Sequence, residues 1–385
     1  MSIERRFPCV ADMRRAASKR VPKFAFDYLD NGIGSNLAIR NNRNSLDRVK
    51  LVPRYLVEKN YIPDCSASIL GQSFSQPFGV APIGLGGIIW PNVAQHLAEA
   101  SRASNIPFCL SGFATALIED IQDIAGENAW YQHYLCTDDD LNRKMFRRAE
   151  ACGYTTLVIT VDIPTATRRD HDIRNGLSVP PRFNPGTLWQ ILKRPKWAME
   201  TVRHGIPRFR NYAEVIPKNA NLDQLGLYIQ ELIEGHVTGD RLRTVRDLWP
   251  HRLVVKGILG SEDAIDCKAI GVDALVISNH GGRQLDAAHS PSERLGIIRE
   301  AVGPGMPIMV DGGVTTGLDI ARYIALGADF VLAGRAFMYA VAAMGKTGAD
   351  HVIDILSREL RMTMSQLGCA RVEDLPGFLD SPHIP

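Results

Sequence analysis

Eight short apolar runs recur along the chain, and a turn and a stretch of helical spacing follow them. Several runs are apolar at every position, which is typical of parallel strands buried on both faces. The runs are Phe78–Gly84, Phe108–Ser111, Ala129–Tyr134, Thr156–Asp162, Leu253–Ile258, Ala274–Asn279, Pro307–Gly312 and Phe330–Arg335. Eight strands that alternate with helices predict an α/β fold, a closed (β/α)8 TIM barrel.

An open, doubly wound sheet is the alternative arrangement of the same elements. It would favour a G-x-G-x-x-G dinucleotide fingerprint, but both candidate glycine pairs lack the third glycine, at Leu37 and at Ile89. The barrel is therefore the preferred prediction, and we expect it to form a single domain over residues 1–385. Its parts are a helical N-terminal segment (1–77), the barrel (78–345) and a C-terminal helix and tail (346–385).

The regular spacing breaks once, after the fourth predicted strand. Residues 163–252 separate that strand from the fifth, whereas loops between strands and helices usually have about 2–6 residues. Active sites of TIM barrels are built from the loops at the carboxyl ends of the strands. We therefore expect residues 163–252 to form a long insertion at the active-site face.

Composition and charge exclude several classes of protein. The 44 Lys and Arg residues nearly balance 42 Asp and Glu residues, a net charge of +2, so the chain lacks the basic footprint of a nucleic-acid-binding protein. The seven cysteines form no C-x-x-C pair, which argues against a zinc site and fits reduced thiols. Neither a signal peptide nor a membrane-spanning apolar run is visible. We expect a cytoplasmic protein without a bound metal.

Polar residues stand at the ends of the apolar runs, where the strand ends of a barrel meet at one rim. A cap or a turn is the plainer interpretation of each residue alone, but their convergence favours a functional site. The residues are Ser111, Gln132, Tyr134, Thr160, Asp162, Lys256, Ser278, His280, Arg283, Asp311 and Arg335.

The run Ser278–Gln284 contains the strongest candidates. His280 can accept a proton near neutral pH, and the two glycines after it let the backbone turn tightly. Arg283 offers a planar fork that suits a carboxylate. Asp162 is placed to orient the imidazole, and Lys256 to stabilise an anion that forms during the reaction.

Two glycine-rich ends, Asp311–Val314 and Ala333–Arg335, follow the last two strands. TIM barrels bind phosphate there through loop amides, a helix N-terminus and a cation. The residues alone therefore predict a barrel enzyme with a phosphate-bearing ligand, a histidine base and cationic carboxylate binders. A flavin-free isomerase or lyase acting on a phosphorylated substrate and a non-catalytic module with a basic binding surface are the alternatives.

The motifs together resemble those of the FMN-dependent α-hydroxy-acid oxidases and dehydrogenases, over roughly residues 8–370. Ser278–Asp286 is similar to the active-site signature of that family. The other matching motifs occur in the family's order: Tyr131–Tyr134, Thr160–Asp162, Arg168–Arg169 and Lys256–Gly257. Within the family, Ile89–Pro91, Arg246–Pro250 and the long insertion are most similar to the membrane-associated mandelate and L-lactate dehydrogenases.

This resemblance implies that bound FMN oxidises an L-2-hydroxy acid to the 2-oxo acid and that a membrane quinone then takes the electrons. An oxidase that uses oxygen and makes hydrogen peroxide is the alternative. Direct hydride transfer and a carbanion route both fit the residues. The resemblance further implies a homotetramer.

The resemblance also implies a role for each matched residue. His280 takes a proton from the substrate and pairs with Asp162, Tyr134 bonds the substrate oxygen, and Lys256 lies near the flavin. The carboxylate is bound by Arg283 and Arg169 with help from Tyr28. The residues implied to hold FMN are Pro82, Ile83, Gly84, Ser111, Gln132, Thr160, Lys256, Ser278, Asp311, Gly312, Gly313, Thr315, Gly334 and Arg335.

Two positions depart from the family pattern. Thr315 stands where the family usually has an arginine after Asp-Gly-Gly-Val, so one phosphate-binding cation is missing. We expect weaker FMN binding, with Arg335 carrying more of that task. Phe113 stands where some oxidases have tryptophan and the mandelate dehydrogenases a small residue. We expect it to line the substrate pocket and to affect the size of substrate accepted.

One stretch carries a local charge excess. Between Trp189 and Tyr212 there are six lysines and arginines against the single acid Glu200, an excess of five positive charges. Tryptophan and aliphatic residues are interleaved with them, a composition that fits a membrane interface. We call residues 188–212 the basic segment and expect it to lie at the inner face of the cell membrane. Packing of its apolar residues on the barrel or on a partner subunit is the alternative.

Overall fold

The computed structural model describes residues 2–57, 62–165, 167–175, 185–215 and 231–380. Parts of the predicted insertion (166, 176–184 and 216–230) and the tail 381–385 lie outside the described residues. The N-terminal segment contains four helices and one hairpin: α1 (Ile3–Arg6), α2 (Val10–Arg20), α3 (Lys23–Asp30), α4 (Leu37–Arg48), β1 (Ala67–Ile69) and β2 (Gln72–Phe74).

Eight parallel strands close into a barrel, which confirms the predicted (β/α)8 TIM fold. Each strand pairs with the next along the chain, and the last strand returns to the first through the pairs Val331–Phe78 and Ala333–Val80. The strands are β3 (Phe78–Val80), β4 (Phe108–Ser111), β5 (Ala129–His133), β6 (Thr156–Thr160), β7 (Arg252–Ile258), β8 (Ala274–Ile277), β9 (Ile308–Asp311) and β10 (Phe330–Ala333).

Helices surround the barrel, and several begin at side-chain caps that the sequence supplies. Asp138 accepts from two backbone amides at the start of α7, and Thr316 with Asp319 forms a capping box at the start of α14. The helices are α5 (Val93–Ala103), α6 (Ile118–Ala125), α7 (Asp139–Cys152), α8 (Asp170–Arg174), α9 (Pro185–Leu192), α10 (Pro195–His204), α11 (Gly239–Leu248), α12 (Ser261–Ile270), α13 (Pro291–Val302), α14 (Gly317–Ala325), α15 (Arg335–Met344) and α16 (Lys346–Leu367).

The described part of the segment between β6 and β7 contains two kinds of structure. Helices α8, α9 and α10 and the short 3-10 turn Arg210–Tyr212 belong to the insertion itself. Helix α11 packs beside α12 in the ring of helices around the barrel. The barrel pattern therefore resumes at α11, before β7 begins.

The lower part of the barrel interior is apolar, and the β1–β2 hairpin plugs the barrel at its amino end. Phe74 of the hairpin lies 6.2 Å from Trp130 and 5.7 Å from Phe330, measured between ring centroids, in edge-on contacts. All three rings are buried. The plug closes one end of the barrel, so the carboxyl ends of the strands are the end at which a site can open.

Most strands end earlier than the apolar pattern predicted. β3 ends at Val80 instead of Gly84, and β10 ends at Ala333 instead of Arg335. Pro82 cannot donate a ladder hydrogen bond, and Arg335 is the first residue of α15. Several residues predicted at strand ends therefore occupy the first loop positions above the barrel.

Candidate active site

On six strands, a polar residue at the barrel mouth stands two positions after an apolar residue of the barrel core. Side chains of a strand alternate between its two faces, so the residue two places after an inward core residue also points inward. The core residues are Cys109, Trp130, Val158, Val254, Val276 and Met309. The residues two places later are Ser111, Gln132, Thr160, Lys256, Ser278 and Asp311, and all are buried. The strand period thus brings six predicted site residues into one layer.

Above that layer, His280 and Asp162 form the predicted pair. The Nδ1 of His280 lies 2.8 Å from the Oδ1 of Asp162. Burial raises the pKa of Asp162, but His280 and Lys256 outweigh burial, so this pKa lies below its usual value. The ionised carboxylate favours the hydrogen on Nδ1, and the Nε2 of His280 is then able to accept a proton.

The backbone around this pair is shaped for close approach. His280 has a φ of +56°, in the left-handed region that costs an L-residue about 1–2 kcal/mol. Its N–H donates to the Oγ of Ser278 over 3.0 Å. Gly257 has a φ of +107°, and a Cβ atom there would stand 2.6 Å from the Cβ of Asp162. Glycine at position 257 therefore permits the approach of Asp162.

Lys256 is held at the centre of the buried layer by two neighbours. Its Nζ lies 3.0 Å from the Oδ2 of Asp311 and donates to the Oγ of Ser278 over 2.9 Å. Burial lowers the pKa of Lys256, but Asp311 and Asp162 raise it by more, so the net shift is upward. The ammonium stays charged at the mouth, where it can stabilise a developing anion.

Two arginines lie close to the ring of Tyr28. The Cζ atoms of Arg283 and Arg169 lie 4.7 Å and 6.0 Å from the centre of that ring. Arg283 Nη1 donates to the backbone carbonyls of Tyr28 and Asn31 over 2.6 and 3.0 Å. Burial, with the charge of Arg169, lowers the pKa of Arg283 to about 9, so it stays charged at neutral pH. The acid near this pair is Asp172, 4.0 Å from Arg169. Such a cationic pocket suits a carboxylate.

Phe113 and Tyr134 form one wall of the mouth. Their ring centroids are 5.3 Å apart and the rings stack. Two residues of the insertion support this wall, because Phe113 lies 5.4 Å from Phe209 and 5.0 Å from Tyr212. The hydroxyl of Tyr212 is in turn 3.3 Å from the Nδ1 of the buried His133. Burial raises the pKa of Tyr134, so its hydroxyl keeps its proton.

The loop after β3 lies against this wall and against the loop after β10. Pro82, Ile83 and Gly84 are half-buried, and the carbonyl of Gly84 accepts from the Tyr28 hydroxyl over 3.4 Å. A Cβ atom at Gly334 would stand 3.5 Å from the Cδ1 of Ile83. The predicted positions on these two loops are therefore neighbours.

Several buried polar atoms at the mouth have no partner within the described part of the chain. They are Gln132 Nε2, Thr160 Oγ1, Asp162 Oδ2, Asp311 Oδ1 and Arg335 Nη2. An unsatisfied buried donor or acceptor costs about 1–3 kcal/mol, so their concentration points to a polar ligand. The set contains both donors and acceptors, as the ring amides, carbonyls and ribityl hydroxyls of FMN require. The residues present fit that cofactor.

We call residues 312–315 and 334–335, which follow β9 and β10, the phosphate-end loops. Gly312 and Gly313 have φ values of +108° and +75°, and a Cβ atom at Gly313 would stand 2.9 Å from the carbonyl oxygen of Asn42. Glycine is required there for its conformation and for its size. Thr315 donates its N–H and its hydroxyl to Asp319, so it contributes to the cap of α14.

Arg335, the predicted phosphate-binding cation, lies beside the signature loop. Its Nε donates to the carbonyl of Leu29 over 3.0 Å and its Nη1 to the carbonyl of Gly281 over 2.8 Å. Its Nη2 is the unpartnered buried donor described above. One donor of this guanidinium is thus available for a ligand at the phosphate end.

The N-terminal helices clamp the signature loop from outside, which the sequence alone does not reveal. Asn42 and Asn279 exchange two amide hydrogen bonds of 2.6 and 2.8 Å. Asp286 accepts from the backbone amides of Ser35 and Ala38 over 3.0 and 2.9 Å. The signature contains Asn279 and Asp286, but their partners stand more than 230 positions earlier and carry no local signal.

The basic segment has an anchored face and an exposed face. Trp197 packs edge-on against Phe24 at 5.8 Å and donates its Nε1–H to the carbonyl of Ile88. Arg194 donates to the carbonyl of Val21 over 3.1 Å. The exposed apolar residues are Leu188, Trp189, Leu192, Met199, Val202 and Ile206. Across the described ranges, no helix has the length and apolar character needed to span a membrane.

Known proteins resemble the chain over nearly its whole length. Residues 17–380 match the family model described as FMN-dependent dehydrogenase. The chain is 35% identical to (S)-mandelate dehydrogenase of Pseudomonas putida, over 97% of this chain and 94% of that protein. It is 34% identical to L-lactate dehydrogenase of Caulobacter vibrioides, over 97% of each.

Solved structures agree with these relatives. The structure of the monotopic membrane protein (S)-mandelate dehydrogenase has a TM-score of 0.91 at 35% identity and covers 97% of this chain and 99% of that one. A structure of mandelate oxidase with (S)-4-hydroxymandelic acid has a TM-score of 0.84 at 30% identity, with coverage of 97% and 98%. The family resemblance is confirmed: the chain belongs to the FMN-dependent dehydrogenase family and is an FMN-dependent oxidoreductase.

Proposed function

We propose that the protein oxidises an L-2-hydroxy acid of the lactate or mandelate type to its 2-oxo acid. The observation that carries this proposal is the His280–Asp162 pair, 2.8 Å between the two side chains, at the same mouth as two half-buried arginines, Arg283 and Arg169. A base and a carboxylate pocket are what a 2-hydroxy acid requires. The named relatives, a mandelate and a lactate dehydrogenase, act on such acids.

The arginines select the carboxylate of the substrate. Arg283 and Arg169 both lie within 6.0 Å of the centre of the Tyr28 ring. The nearby Asp172 is itself harder to ionise, because burial raises its pKa. The pocket therefore keeps an excess of positive charge, and a bound carboxylate offsets the cost of holding two cations together. The planar Arg283 fixes the carboxylate and thereby the orientation of Cα.

The proton goes to His280. Asp162 stays ionised and orients the ring, so the Nε2 of His280 takes a proton from the 2-hydroxy acid and Asp162 stabilises the resulting imidazolium. Tyr134 remains protonated and donates to the substrate oxygen. FMN, held by the residues with unpartnered polar atoms, supplies the two-electron acceptor when bound. Lys256 keeps its proton, because Asp311 and Asp162 raise its pKa, and its ammonium offers positive charge beside the cofactor site.

We propose further that the electrons pass to a quinone at the cytoplasmic face of the membrane. The exposed face of the basic segment supports this, because Trp189 and Val202 are 60% and 85% exposed. Lys193 lies over the Trp189 ring, 4.7 Å from its centre, and such pairs suit an anionic lipid interface. Oxygen is the second candidate acceptor, and the likeness to mandelate oxidase favours it.

Anaerobic reduction of the bound flavin tests the substrate class. The purified holoenzyme is mixed with the L- and D-forms of lactate and mandelate and with longer aliphatic 2-hydroxy acids, and flavin absorbance is followed. We expect bleaching by L-forms only. Bleaching by none of these acids would overturn the proposal. Aerobic turnover with and without a soluble quinone then separates the acceptors, since hydrogen peroxide formed in proportion to product would identify oxygen.

A further inference from the structure

Helix α4 places an arginine against the phosphate-end loops from outside the barrel. Arg43 Nη1 donates to the carbonyl of Gly313 over 3.0 Å and approaches the Oγ1 of Thr315 at 3.3 Å. Its two terminal nitrogens each donate to Asp319 over 2.7 Å. Asp47, one turn further along α4, accepts from Nε and Nη2 over 2.9 and 2.6 Å. All three guanidinium nitrogens are thus engaged.

The position of α4 is itself fixed at two points. The Asn42–Asn279 amide pair is buried, with Asn42 1% and Asn279 4% exposed. Asp286 accepts from the amides of Ser35 and Ala38 at the start of the helix. Helix α4, which carries Arg43, is therefore held against the signature loop by these hydrogen bonds. The contact of Arg43 with the phosphate-end loops rests on a fixed helix.

The contacts of Arg43 and Tyr323 orient two consecutive peptide groups. The carbonyl of Gly312 accepts from the Tyr323 hydroxyl over 2.7 Å, and the carbonyl of Gly313 accepts from Arg43. In a trans peptide the N–H points opposite to the carbonyl, so the amides of Gly313 and Val314 are directed away from these two side chains. Successive amides at left-handed glycines form the concave arrangement that binds phosphate.

The charges around Arg43 are balanced only while it is present. Asp319, 1% exposed, and Asp47 are neutralised by Arg43 and by Arg322, whose Nη1 lies 3.2 and 3.1 Å from them. Thr315 adds no charge. Loss of Arg43 would release the Gly313 carbonyl and leave the group of Arg322, Asp319 and Asp47 with one net negative charge.

We propose that Arg43 is a positioning residue for the FMN phosphate: it fixes the Gly312–Thr315 loop and balances the charge of Asp319, at the end of the site where Thr315 replaces the usual arginine. This role rests on the placement of the FMN phosphate at the phosphate-end loops. It makes the N-terminal helix part of the cofactor site, although Arg43 belongs to none of the motifs that identify the family.

The test compares two flavins that differ by the phosphate. Apoprotein of the wild type and of Arg43→Gln is titrated with FMN and with riboflavin, and quenching of flavin fluorescence gives both dissociation constants. We expect FMN to bind about tenfold or more weakly to the variant, since the Gly313 carbonyl loses its charged donor and the negative charge of Asp319 is less well balanced beside the phosphate. Riboflavin should bind within about twofold of the wild type, and the FMN defect should be larger at low salt.

Three further variants keep this test decisive. Arg48→Gln, on the same helix but 56% exposed, is the matched control and should bind FMN as the wild type does. Arg43→Gln with Thr315→Arg should recover FMN affinity, because the new side chain restores the lost charge. If Arg43→Gln fails to fold, Arg43→Lys is used, which keeps the charge and loses the fork.

Unchanged FMN affinity, or an equal loss for FMN and riboflavin, would overturn the proposal. The titration uses no substrate. If the proposed hydroxy-acid oxidation proves wrong, the result of the FMN and riboflavin titration therefore still stands.

Discussion

The proposed site has a reaction end, where the substrate binds, and a phosphate end, where the FMN phosphate binds, and the two ends use different chemical groups. At the reaction end, the working groups are side chains: the His280–Asp162 pair, the arginines and Tyr134. At the proposed phosphate end, they are the backbone amides of the glycine-rich loop and the unpartnered Nη2 of Arg335. Arg43 and Tyr323 contact the carbonyls of that loop from behind. Reaction chemistry needs groups with defined proton affinities, whereas holding a phosphate needs oriented dipoles and a balanced charge.

This difference predicts separable defects. A substitution at the reaction end should slow flavin reduction and leave FMN binding nearly intact. A substitution behind the phosphate-end loop should weaken FMN and leave the reaction of the loaded enzyme nearly intact. Variants at each end therefore test whether the division is real.

The largest effect is expected from His280→Gln. Glutamine has a similar size and cannot accept the proton, so anaerobic flavin reduction should slow by about 10²- to 10⁴-fold. FMN affinity should stay close to that of the wild type. Stopped-flow absorbance measures the rate, and fluorescence titration measures the affinity. A variant that reduces its flavin at the wild-type rate would remove His280 from the role of base.

Arg283→Lys should have the next largest effect. Lysine keeps the charge but cannot present a fork to a carboxylate or reproduce the bonds to the Tyr28 and Asn31 carbonyls. The KM for the hydroxy acid should rise by roughly 30- to 100-fold. Arg168→Lys is the control, because the neighbouring Arg168 side chain is 81% exposed and lies 3.5 Å from Asp170. Equal KM values in the two variants would argue against carboxylate binding by Arg283.

The smallest effect on the site is expected from substitutions in the basic segment, which lies outside both ends of the site. Trp189→Ser combined with Val202→Ser removes two exposed apolar side chains of the basic segment. Binding to anionic liposomes should weaken by about tenfold or more, while flavin reduction and FMN affinity stay unchanged. Ile265→Ser, which alters a 48% exposed residue on α12, is the matched control. Wild-type protein that binds no liposomes at low or physiological salt would refute membrane association.

The same division explains what the sequence predicts and what it does not. The strand period of two and the strand order place Gln132, Thr160 and Lys256 in one layer, so local patterns suffice for most of the reaction end. The partners of the phosphate-end loop are not local, since Arg43 stands 270 positions before Gly313. The support of Phe113 by Tyr212 and Phe209 also depends on how the insertion folds back.

The apolar pattern also predicts longer strands than the structure has. Gly84 and Arg335 end two of the predicted strands but lie beyond the strands of the structure, which end at Val80 and Ala333. Helix initiation and proline chemistry end the strands there, and both compete with the apolar pattern. This shortening is what frees these residues to face a ligand.

The most direct test of the division is the rate of anaerobic flavin reduction at saturating FMN in wild type, His280→Gln and Arg43→Gln. We predict that His280→Gln is slower by about 10²-fold or more, and that Arg43→Gln, once loaded, stays within about threefold of the wild type. An Arg43→Gln enzyme as slow as His280→Gln would contradict the separation of the two ends.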